Sequence, residues 1–475
     1  MAWYSQYLVM IHKSFHRIVG KNSSVSSSES IIPELRIIQH KEHGLIRNNI
    51  SSCAAKVTLD LQEAGYSAFI VGGAVRDLLL GLKPKDFDIV TNAKPEEIRS
   101  LFRRSRIIGR RFRLVHVMCG SDTVEVSTFR GDSVTNKNGK STPHQHADEH
   151  GRILRDNVFG SQEEDVKRRD FTVNALFYDP DREEIWDYLC GYGDIKSKQL
   201  RIIGTPLQRY REDPIRILRA IRLAAKLDMK IDSATAQPIG DLAPLLQNVP
   251  PSRLFDEVLK ILLCGYAQTC VADLRARGLY HGLLPILDMV STESVDEHFI
   301  SLVLKSTDER VQQEKSVSPG FLFAALLWHG VLVVWNKRMA AGEKSFPALH
   351  MAIKDLMETQ EKKLVIPRRY DAIMQEIWAM QPRFLGRSGR RPFRLLEHPR
   401  FRAAYDFMLL RCESGEIDME LGNWWETFQN AKTSDRENML FRNEAPRKRR
   451  KKRGRNEAVA GNTQSIDSSS GLQNN

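Results

Sequence analysis

The chain has few cysteines, and none is spaced as a metal-ligand or disulfide motif. Its six cysteines stand at positions 53, 119, 190, 264, 270 and 412, with no Cys-x-x-Cys pair. This spacing indicates neither a zinc site nor a disulfide framework, and it is typical of a reducing compartment. Long hydrophobic runs are also lacking, since the most apolar segment, residues 321–335, is 15 residues long and contains His329. A membrane span needs about 20 residues, so this segment predicts a buried helix.

The N-terminal segment lacks acidic residues. Glu29 is the first acid, and serines with a few basic residues fill the segment before it. This composition is weakly typical of a transit peptide for organelle import, and a disordered tail explains it equally well. We predict that residues 1–45 form a polar lead without packed structure, and we expect the protein to be cytoplasmic.

The net charge of +12 is concentrated near the other end of the chain. Residues 447–455 contain eight basic residues and no acid. Such a run favours sequence-independent binding of nucleic-acid phosphates, although a nuclear localisation signal or a solvated tail would look the same. The predicted phosphate-binding residues are Arg447, Lys448, Arg449, Arg450, Lys451, Lys452, Arg453 and Arg455.

The most informative motif is Asp86-Phe87-Asp88. In a strand these two carboxylates would lie on one side, about 6–7 Å apart, because the rise per residue is ~3.3 Å. Mg²⁺ takes oxygen ligands and usually binds one or two carboxylates together with substrate phosphates. The motif therefore predicts a two-metal site for phosphoryl transfer.

A glycine turn precedes this motif and supports the same interpretation. Residues 68–71 form a short apolar run that predicts a buried strand, Gly72-Gly73 breaks it, and residues 74–80 predict a helix ended by Gly81. A helix that begins at such a turn presents free backbone N–H groups to an anion. Arg76, in the first turns, is a candidate clamp for a triphosphate because its guanidinium is a planar fork.

Four ordered motifs resemble those of the class II nucleotidyltransferases of the polymerase β superfamily. These are Gly-Gly-Ala-Val-Arg-Asp at residues 72–77 with Asp-Phe-Asp at 86–88, Arg-Arg-Asp-Phe-Thr-Val-Asn-Ala-Leu at 168–176, Asp-Tyr-Leu-Cys-Gly-Tyr-Gly-Asp at 187–194, and Arg-Tyr-Arg-Glu-Asp-Pro-Ile-Arg-Ile-Leu-Arg at 209–219. The family contains the CCA-adding tRNA enzymes and the bacterial poly(A) polymerases. The resemblance runs from about residue 45 to about residue 430.

The resemblance implies a fold and a domain order. We expect an α/β catalytic head, a polymerase-β-like mixed sheet with flanking helices, over residues 46–205. An all-α neck at residues 206–270 would bind the nucleobase and RNA, and a helical body at 271–432 would guide RNA. Residues 433–475 would be a disordered basic tail.

The resemblance also implies site roles. Glu125 would complete the site of Asp86 and Asp88, as metal support or as base for the primer hydroxyl, and Asp170 is the competing candidate. The other predicted nucleotide-binding residues are Gly72, Gly73, Arg76, Arg168, Asn174, Asp213, Arg216 and Arg219, of which Asp213 and Arg216 would read the base in place of a template. Taken alone, however, Glu212 and Arg216 could be a plain i,i+4 ion pair at a helix start.

Three segments favour the poly(A) polymerase branch over the CCA-adding branch. Residues 107–117 resemble its signature, with Arg110, Arg111 and Arg113 as added phosphate contacts. Residues 383–394 and 401–407 resemble its arginine-rich extension, where arginines alternate with aromatics that can stack on unpaired bases. The predicted RNA-binding residues in this extension are Arg390, Arg391 and Arg394.

The expected activity is addition of AMP from ATP, with two Mg²⁺ ions, to RNA 3′ ends, which promotes RNA turnover. By resemblance, partners would include RNA-decay machinery and an Sm-like RNA chaperone. Two alternatives stay open: a CCA- or A-adding tRNA enzyme, and an RNA-binding protein without catalysis.

Overall fold

The computed structural model describes residues 34–109, 113–131, 158–279, 294–363 and 366–441. Its N-terminal part is a mixed eight-stranded sheet with flanking helices, and the remainder is almost entirely helical. This architecture confirms the predicted fold class. The division into head, neck and body at residues 205 and 270 stays a prediction.

The main sheet has the strand order β1-β8-β7-β2-β3-β6-β5-β4. Its strands are β1 Arg36–Ile38, β2 Ala68–Val71, β3 Asp88–Thr91, β4 Ser105–Ile108, β5 Leu114–Cys119, β6 Asp122–Thr128, β7 Leu176–Asp179 and β8 Glu184–Asp187. Neighbouring strands are antiparallel except β3 and β6, which run parallel. A two-stranded parallel sheet pairs β9 Gln199–Leu200 with β10 Lys230–Ile231.

Both faces of the central strands are buried, as their apolar runs predict. Along β2, Ala68 and Ile70 belong to one hydrophobic cluster, and Phe69 and Val71 belong to another. Helix Ser52–Glu63 packs on β2, β3 and β6. It begins where the sequence favours a start, because the Ser51 hydroxyl accepts a hydrogen bond from the Ala54 N–H at 3.1 Å.

The described α-helices connect and follow the strands. In chain order they are His40–His43, Ser52–Glu63, Gly73–Leu79, Pro95–Leu101, Gln162–Arg168, Gly191–Lys196, Pro206–Glu212, Ile215–Leu227, Ser233–Ala236, Ile239–Leu242, Pro251–Leu262, Ala267–Ala276, Ser294–Gln312, Pro319–Leu326, Trp328–Ala340, Ser345–Lys363, Asp371–Met380, Arg391–Leu396, Phe401–Glu413, Met419–Asn430 and Thr433–Met439.

Buried tryptophans anchor the helical part because their N–H groups find acceptors inside the core. Trp378 donates to the carbonyl of Ala324 at 2.9 Å, and Trp425 donates to the carbonyl of Phe384 at 2.9 Å. Both side chains are fully buried. These contacts join helices that are distant in sequence.

Three sequence-based expectations are wrong. Residues 36–38 form an edge strand paired with β8, so the head begins before residue 46. Helix Thr433–Met439 packs on the preceding helix, where Arg436 donates to the carbonyl of Phe428 at 2.8 Å. Residues 433–439 are therefore not a disordered tail.

Cys53 and Cys119 form a disulfide, although they are 66 residues apart in the sequence. Their spacing along the chain does not predict this bond, because packing of helix Ser52–Glu63 on the sheet brings Cys53 to the end of β5.

The apolar segment around residue 328 is split between two helices, Pro319–Leu326 and Trp328–Ala340, bent by 48°. Within the described ranges, no single helix is long and apolar enough to cross a membrane. The bent pair taken together has the length and composition of a span. Most residues of Pro319–Leu326 are buried, in agreement with the predicted core helix.

Candidate active site

The glycine turn, Gly72-Gly73, joins β2 to helix Gly73–Leu79. Gly72 adopts φ of +77°, a conformation in which other residues are strained. Its N–H donates to the carbonyl of Leu176 at 3.3 Å, which holds the turn against the first residue of the neighbouring central strand β7. The strand, turn and helix therefore occur as the sequence predicts.

The main carboxylates lie on one face of neighbouring strands. Asp88 begins β3, and it stands directly opposite Glu125 of the parallel strand β6. Both residues are exposed, whereas Val124 and Val126 on either side of Glu125 are buried on the opposite face. The predicted alternation along β6 is confirmed.

The prediction that Asp86 and Asp88 share a strand is wrong in detail. β3 begins only at Asp88, and Asp86 lies exposed in the loop before it. Asp86 nevertheless lies near enough to raise the pKa of Asp88. Asp86 and Asp88 thus remain together, but loop geometry rather than the strand repeat sets their spacing.

The charge environment of Asp88 is unfavourable for its ionised form. Desolvation raises the pKa of Asp88 above its ordinary value, and the negative charges of Glu125 and Asp86 add to that rise. Arg169 opposes the rise. Like charges directly opposite each other destabilise a sheet, so the fold keeps these carboxylates together at a cost.

Arg169 lies between the glycine turn and Asp88. A Cβ atom added to Gly72 would lie 3.6 Å from its Nη1 atom. Its guanidinium is held by Asp165, with Nη2 donating at 2.8 Å to a carboxylate oxygen, and it lies 5.2 Å from the centre of the Phe177 ring. The sequence predicts that Arg168 binds the nucleotide. In the structure Arg168 donates to the carbonyl of Gly131 and lines a cavity at the start of the helical part.

A buried chain of polar contacts connects the turn to the helical part. Arg76 donates through Nη2 to Asp77 at 2.5 Å and through Nη1 to Asn174 at 2.5 Å. Asn174 in turn donates to Asp170 at 3.0 Å, and Asp170 forms an ion pair with Arg219 at 2.5 Å. Arg76 is therefore not presented to solvent as the sequence-based clamp requires, since only 5% of it is exposed.

Asp170 is stabilised as an anion. Burial alone would raise the pKa of Asp170, but Arg219, Asn174 and the N–H of Phe171 lower it to about 2. Conversely, Asp170 raises the pKa of Arg219. The structure gives no contact between Asp170 and the carboxylates of Asp86, Asp88 or Glu125 among the residues it describes.

The motif at residues 187–194 supports the segment that carries Asp170. Asp187 accepts hydrogen bonds from the N–H groups of Leu189, Gly191 and Tyr192 at 2.9–3.1 Å. A Cβ atom on Gly191 would lie 2.3 Å from the carbonyl oxygen of Thr172, so only glycine permits this approach. This motif thus packs closely against the segment that carries Asp170.

A cavity of about 340 Å³ opens where the arginine motif meets the helices after residue 206. We call it the neck cavity, and its lining residues are Arg168, Asp170, Asp213, Ile215, Arg216, Arg219, Arg253, Asp256, Glu257 and Lys260. Four of the predicted nucleotide-binding residues, Arg168, Asp213, Arg216 and Arg219, are brought together here.

Charged residues of the neck cavity already have protein partners. Asp213 pairs with Arg253 at 2.8 Å, and Arg216 pairs with Glu212 at 3.1 Å, which is the plain i,i+4 contact considered from the sequence. Arg216 also donates to the carbonyl of Arg209 at 2.7 Å. These contacts occupy Oδ2 of Asp213 and Nη1 of Arg216, so a nucleobase that binds at either atom would have to exchange with its protein partner.

Sequence reasoning missed three residues at the site. Arg169 is adjacent to Arg168, and nothing in the sequence tells which of the two faces the turn. Arg253 reaches Asp213 only through helix packing, which leaves no sequence signal. His116 alternates with the buried Val115 and Val117 on β5, so its position on the open face of the sheet could have been found.

The predicted RNA-binding residues differ in their surroundings, and some lie outside the described ranges. Arg390, Arg391 and Arg394 are exposed at and near helix Arg391–Leu396. Arg113 forms an ion pair with Glu96 at 2.5 Å. Arg110, Arg111 and residues 447–455 lie outside the described residues, so their roles stay predictions.

The carboxylates beside the glycine turn are the kind of ligand that Mg²⁺ binds. Asp86 and Asp88 supply exposed carboxylate oxygens, the kind of ligand that Mg²⁺ binds together with substrate phosphates. Within the described ranges, no group of three or more His, Cys, Asp or Glu side chains forms a complete metal site. A site with two carboxylates completed by substrate is consistent with both observations.

Comparisons with known proteins agree with this geometry. Three family models match in order: the poly A polymerase head domain at residues 68–201, a probable RNA and SrmB-binding site of polymerase A at 228–290, and the polymerase A arginine-rich C-terminus at 341–458. Poly(A) polymerase I of Salmonella typhi is 42% identical over 91% of this chain and 95% of its own length.

CCA-adding enzymes are more distant relatives. That of Streptococcus pyogenes is 38% identical over 45% of this chain and 50% of its own length. The crystal structure of the Bacillus stearothermophilus CCA-adding enzyme with CTP has a TM-score of 0.52 and 25% identity, and the match covers 79% of this chain and 80% of that one.

The sheet, the glycine turn and the adjacent carboxylates define a nucleotidyltransferase. The similarity to poly(A) polymerase I extends over the head and the helical part alike. The chain belongs to the poly(A) polymerase I family.

Proposed function

We propose that this protein adds AMP from ATP to RNA 3′ ends without a template and releases pyrophosphate. The observation that carries the proposal is the placement of Asp88 opposite Glu125, beside the glycine turn. Similarity over 91% of the chain, including the arginine-rich C-terminus, supports poly(A) synthesis over CCA addition.

Asp86 and Asp88 are the proposed Mg²⁺ ligands. When bound, two Mg²⁺ ions would neutralise phosphate charge and activate the primer oxygen. Glu125 is close enough to Asp88 to raise its pKa, and it is exposed, so it can support the metal site or accept the proton of the primer 3′-hydroxyl. Desolvation is the main cause of the raised pKa of Asp88, and the negative charges of Glu125 and Asp86, which add to the rise, would also attract a cation.

The nucleotide would extend from the glycine turn to the neck cavity. Gly72 and Gly73 are the proposed triphosphate contacts, with Arg169 beside them. The Arg76 guanidinium holds Asp77 and Asn174, so we propose that Arg76 supports the turn instead of clamping phosphate.

In the neck cavity, Asp213 and Arg216 are proposed to read the adenine edge, with Arg219 and Arg168 alongside. An ionised carboxylate only accepts hydrogen bonds, and the exocyclic amine of adenine donates them. Asp213 would therefore accept from this amine in place of Arg253. Asp170 and Asn174 are proposed to hold the ribose side of the cavity through their links to Arg219 and Arg76.

The arginine-rich part is the proposed RNA path. Arg390, Arg391 and Arg394 are exposed there, and arginine suits both phosphate contacts and stacking on bases. RNA-decay machinery and an Sm-like RNA chaperone are proposed as partners, and the cytoplasm as the site of action, by resemblance to the bacterial poly(A) polymerases. The match of residues 228–290 to a probable RNA and SrmB-binding site supports the RNA partner.

Primer extension with Mg²⁺ and single nucleoside triphosphates tests the proposal. One substrate is an unstructured RNA with a free 3′-hydroxyl, and the other is a tRNA lacking CCA. We expect long products on the unstructured RNA with ATP alone. Growth that stops after C, C and A on the tRNA would identify a CCA-adding enzyme, and RNA binding without incorporation would contradict catalysis.

A further inference from the structure

His116 lies beside the proposed catalytic centre. It is on β5, directly opposite Glu125 of the antiparallel strand β6. Asp88 lies opposite Glu125 on the other side, so three neighbouring strands place Asp88, Glu125 and His116 in one row. We call these three residues the cross-strand row.

The contact within the row is a hydrogen bond from His116 to Glu125. Nε2 of His116 lies 3.2 Å from Oε1 of Glu125. An ionised carboxylate only accepts hydrogen bonds, so His116 is the donor through Nε2–H. In the part of the chain that the structure describes, no hydrogen bond to Oε2 of Glu125 is present, so this oxygen is available to a ligand.

Packing does not explain His116. The neighbouring residues Val115 and Val117 are buried, while 32% of the His116 side chain is exposed on the open face. Glu125 is also exposed, at 55% of its side chain, and a glutamate with this freedom has several rotamers. A donor on the adjacent strand restricts those rotamers and fixes the Oε1 end of the carboxylate.

We propose that His116 is a positioning residue that orients the Glu125 carboxylate for AMP transfer. This inference rests on the proposed function, since it assigns to Glu125 the role given there. His116 itself touches neither nucleotide nor RNA in this proposal. Its loss should therefore slow the reaction without weakening the binding of either substrate.

The test compares three substitutions at one position with a control. In His116→Ala the donor is removed. In His116→Gln the amide nitrogen occupies nearly the place of Nε2, whereas in His116→Asn it lies nearer to Nδ1 and cannot reach Glu125. Met118→Ala is the matched control, because Met118 is exposed on the same face of β5 two residues further on and pairs with Thr123.

For each protein we would measure kcat and KM for ATP, equilibrium binding of ATP and of RNA, and the midpoint of thermal unfolding. We expect His116→Ala and His116→Asn to lower kcat by about 10–100-fold, as outer partners of catalytic ligands do. Binding of ATP and RNA, KM and the thermal midpoint should stay at the wild-type values. His116→Gln should recover most of the rate, and Met118→Ala should match the wild type.

Three results would overturn the inference while the wild type remains active. The first is an unchanged kcat in His116→Ala, and the second is a His116→Gln variant as slow as His116→Ala. The third is a lower kcat in His116→Ala together with a lower midpoint of thermal unfolding, because that pattern indicates a structural role. A wild type that incorporates no AMP into any RNA would overturn the proposed function itself, and this inference with it.

Discussion

The two charged regions of the site are built in opposite ways. In the cross-strand row, Asp88 and Glu125 are exposed like charges on paired strands, and the pKa of Asp88 is raised. Around the neck cavity, Asp170 is buried in an ion pair with Arg219, and its pKa is lowered to about 2. One region is short of positive charge, and the other has its charges paired.

This difference separates two tasks. A site with unbalanced carboxylates gains stability when a cation binds, so the cross-strand row is suited to a metal-assisted reaction. A site with paired charges gains little from a further ion, and a ligand that binds at a paired atom must replace the existing partner. The neck cavity is therefore suited to selecting a nucleobase by exchange of hydrogen bonds.

The largest effect is expected for the metal carboxylates. Asp86→Ala and Asp88→Ala should each lower AMP incorporation by about 10³-fold or more, since metal-bound transition states are stabilised by several kcal/mol. RNA binding, measured by filter retention or fluorescence anisotropy, should remain nearly unchanged. Normal synthesis by either variant would refute the assignment of these carboxylates as metal ligands. The proposed difference in task between the two regions would then be lost.

A smaller effect, on stability, is expected for the neck ion pairs. Arg219→Ala should lower the free energy of unfolding by about 2 kcal/mol, because it leaves the buried carboxylate of Asp170 without its cation. Arg253→Ala is the matched control, since its pair with Asp213 is more exposed and should cost no more than about 1 kcal/mol. Urea unfolding measures both, and equal losses would show that Arg219 is not the main partner of Asp170.

The pH dependence of stability should have opposite signs in the two regions. The folded-state pKa of Asp170 is about 2 against an ordinary 3.8, so its contribution of about 2 kcal/mol is complete above 3.8 and is lost as pH falls toward 2. The raised pKa of Asp88 acts the other way, since the folded state protonates first. The stability difference between the wild type and Asp170→Asn should stay constant above about pH 4 and narrow as the pH falls from about 4 to about 2. A difference that stays constant over this lower range as well would contradict the assignment.

The smallest effect is expected for the basic run at residues 447–455. Deleting it should shorten products and make the salt dependence of RNA binding shallower, by up to about 0.7 in logarithmic slope for each phosphate that the run neutralises. Activity on a dinucleotide primer, which offers few phosphates for the basic run to neutralise, serves as the control. An unchanged salt slope would count against the tail as an RNA-binding segment.

Local features of the head were predictable because they depend on neighbouring residues. The glycine turn, the helix after it and the alternation around Glu125 follow from backbone preferences and from the two-residue repeat of a strand. The strand β1 was missed because three residues with one buried side chain leave no periodic signal.

Features that depend on tertiary packing were not predictable. The start of β3 at Asp88, the pairing of Cys53 with Cys119 and the burial of Arg76 all arise when distant segments meet. The same holds for Arg253, which reaches Asp213 across 40 residues. Residue types indicated which groups take part in the chemistry, and the fold decides which of them face each other.

The most direct test of this account compares Asp88→Asn with Asp170→Asn in the same two assays, AMP incorporation and the free energy of unfolding at neutral pH. Asp88→Asn should lose incorporation while its stability is unchanged or slightly higher, because a repulsive charge is removed. Asp170→Asn should lose about 2 kcal/mol of stability. A destabilised Asp88→Asn that still incorporates AMP, or an Asp170→Asn as stable as the wild type, would contradict the account.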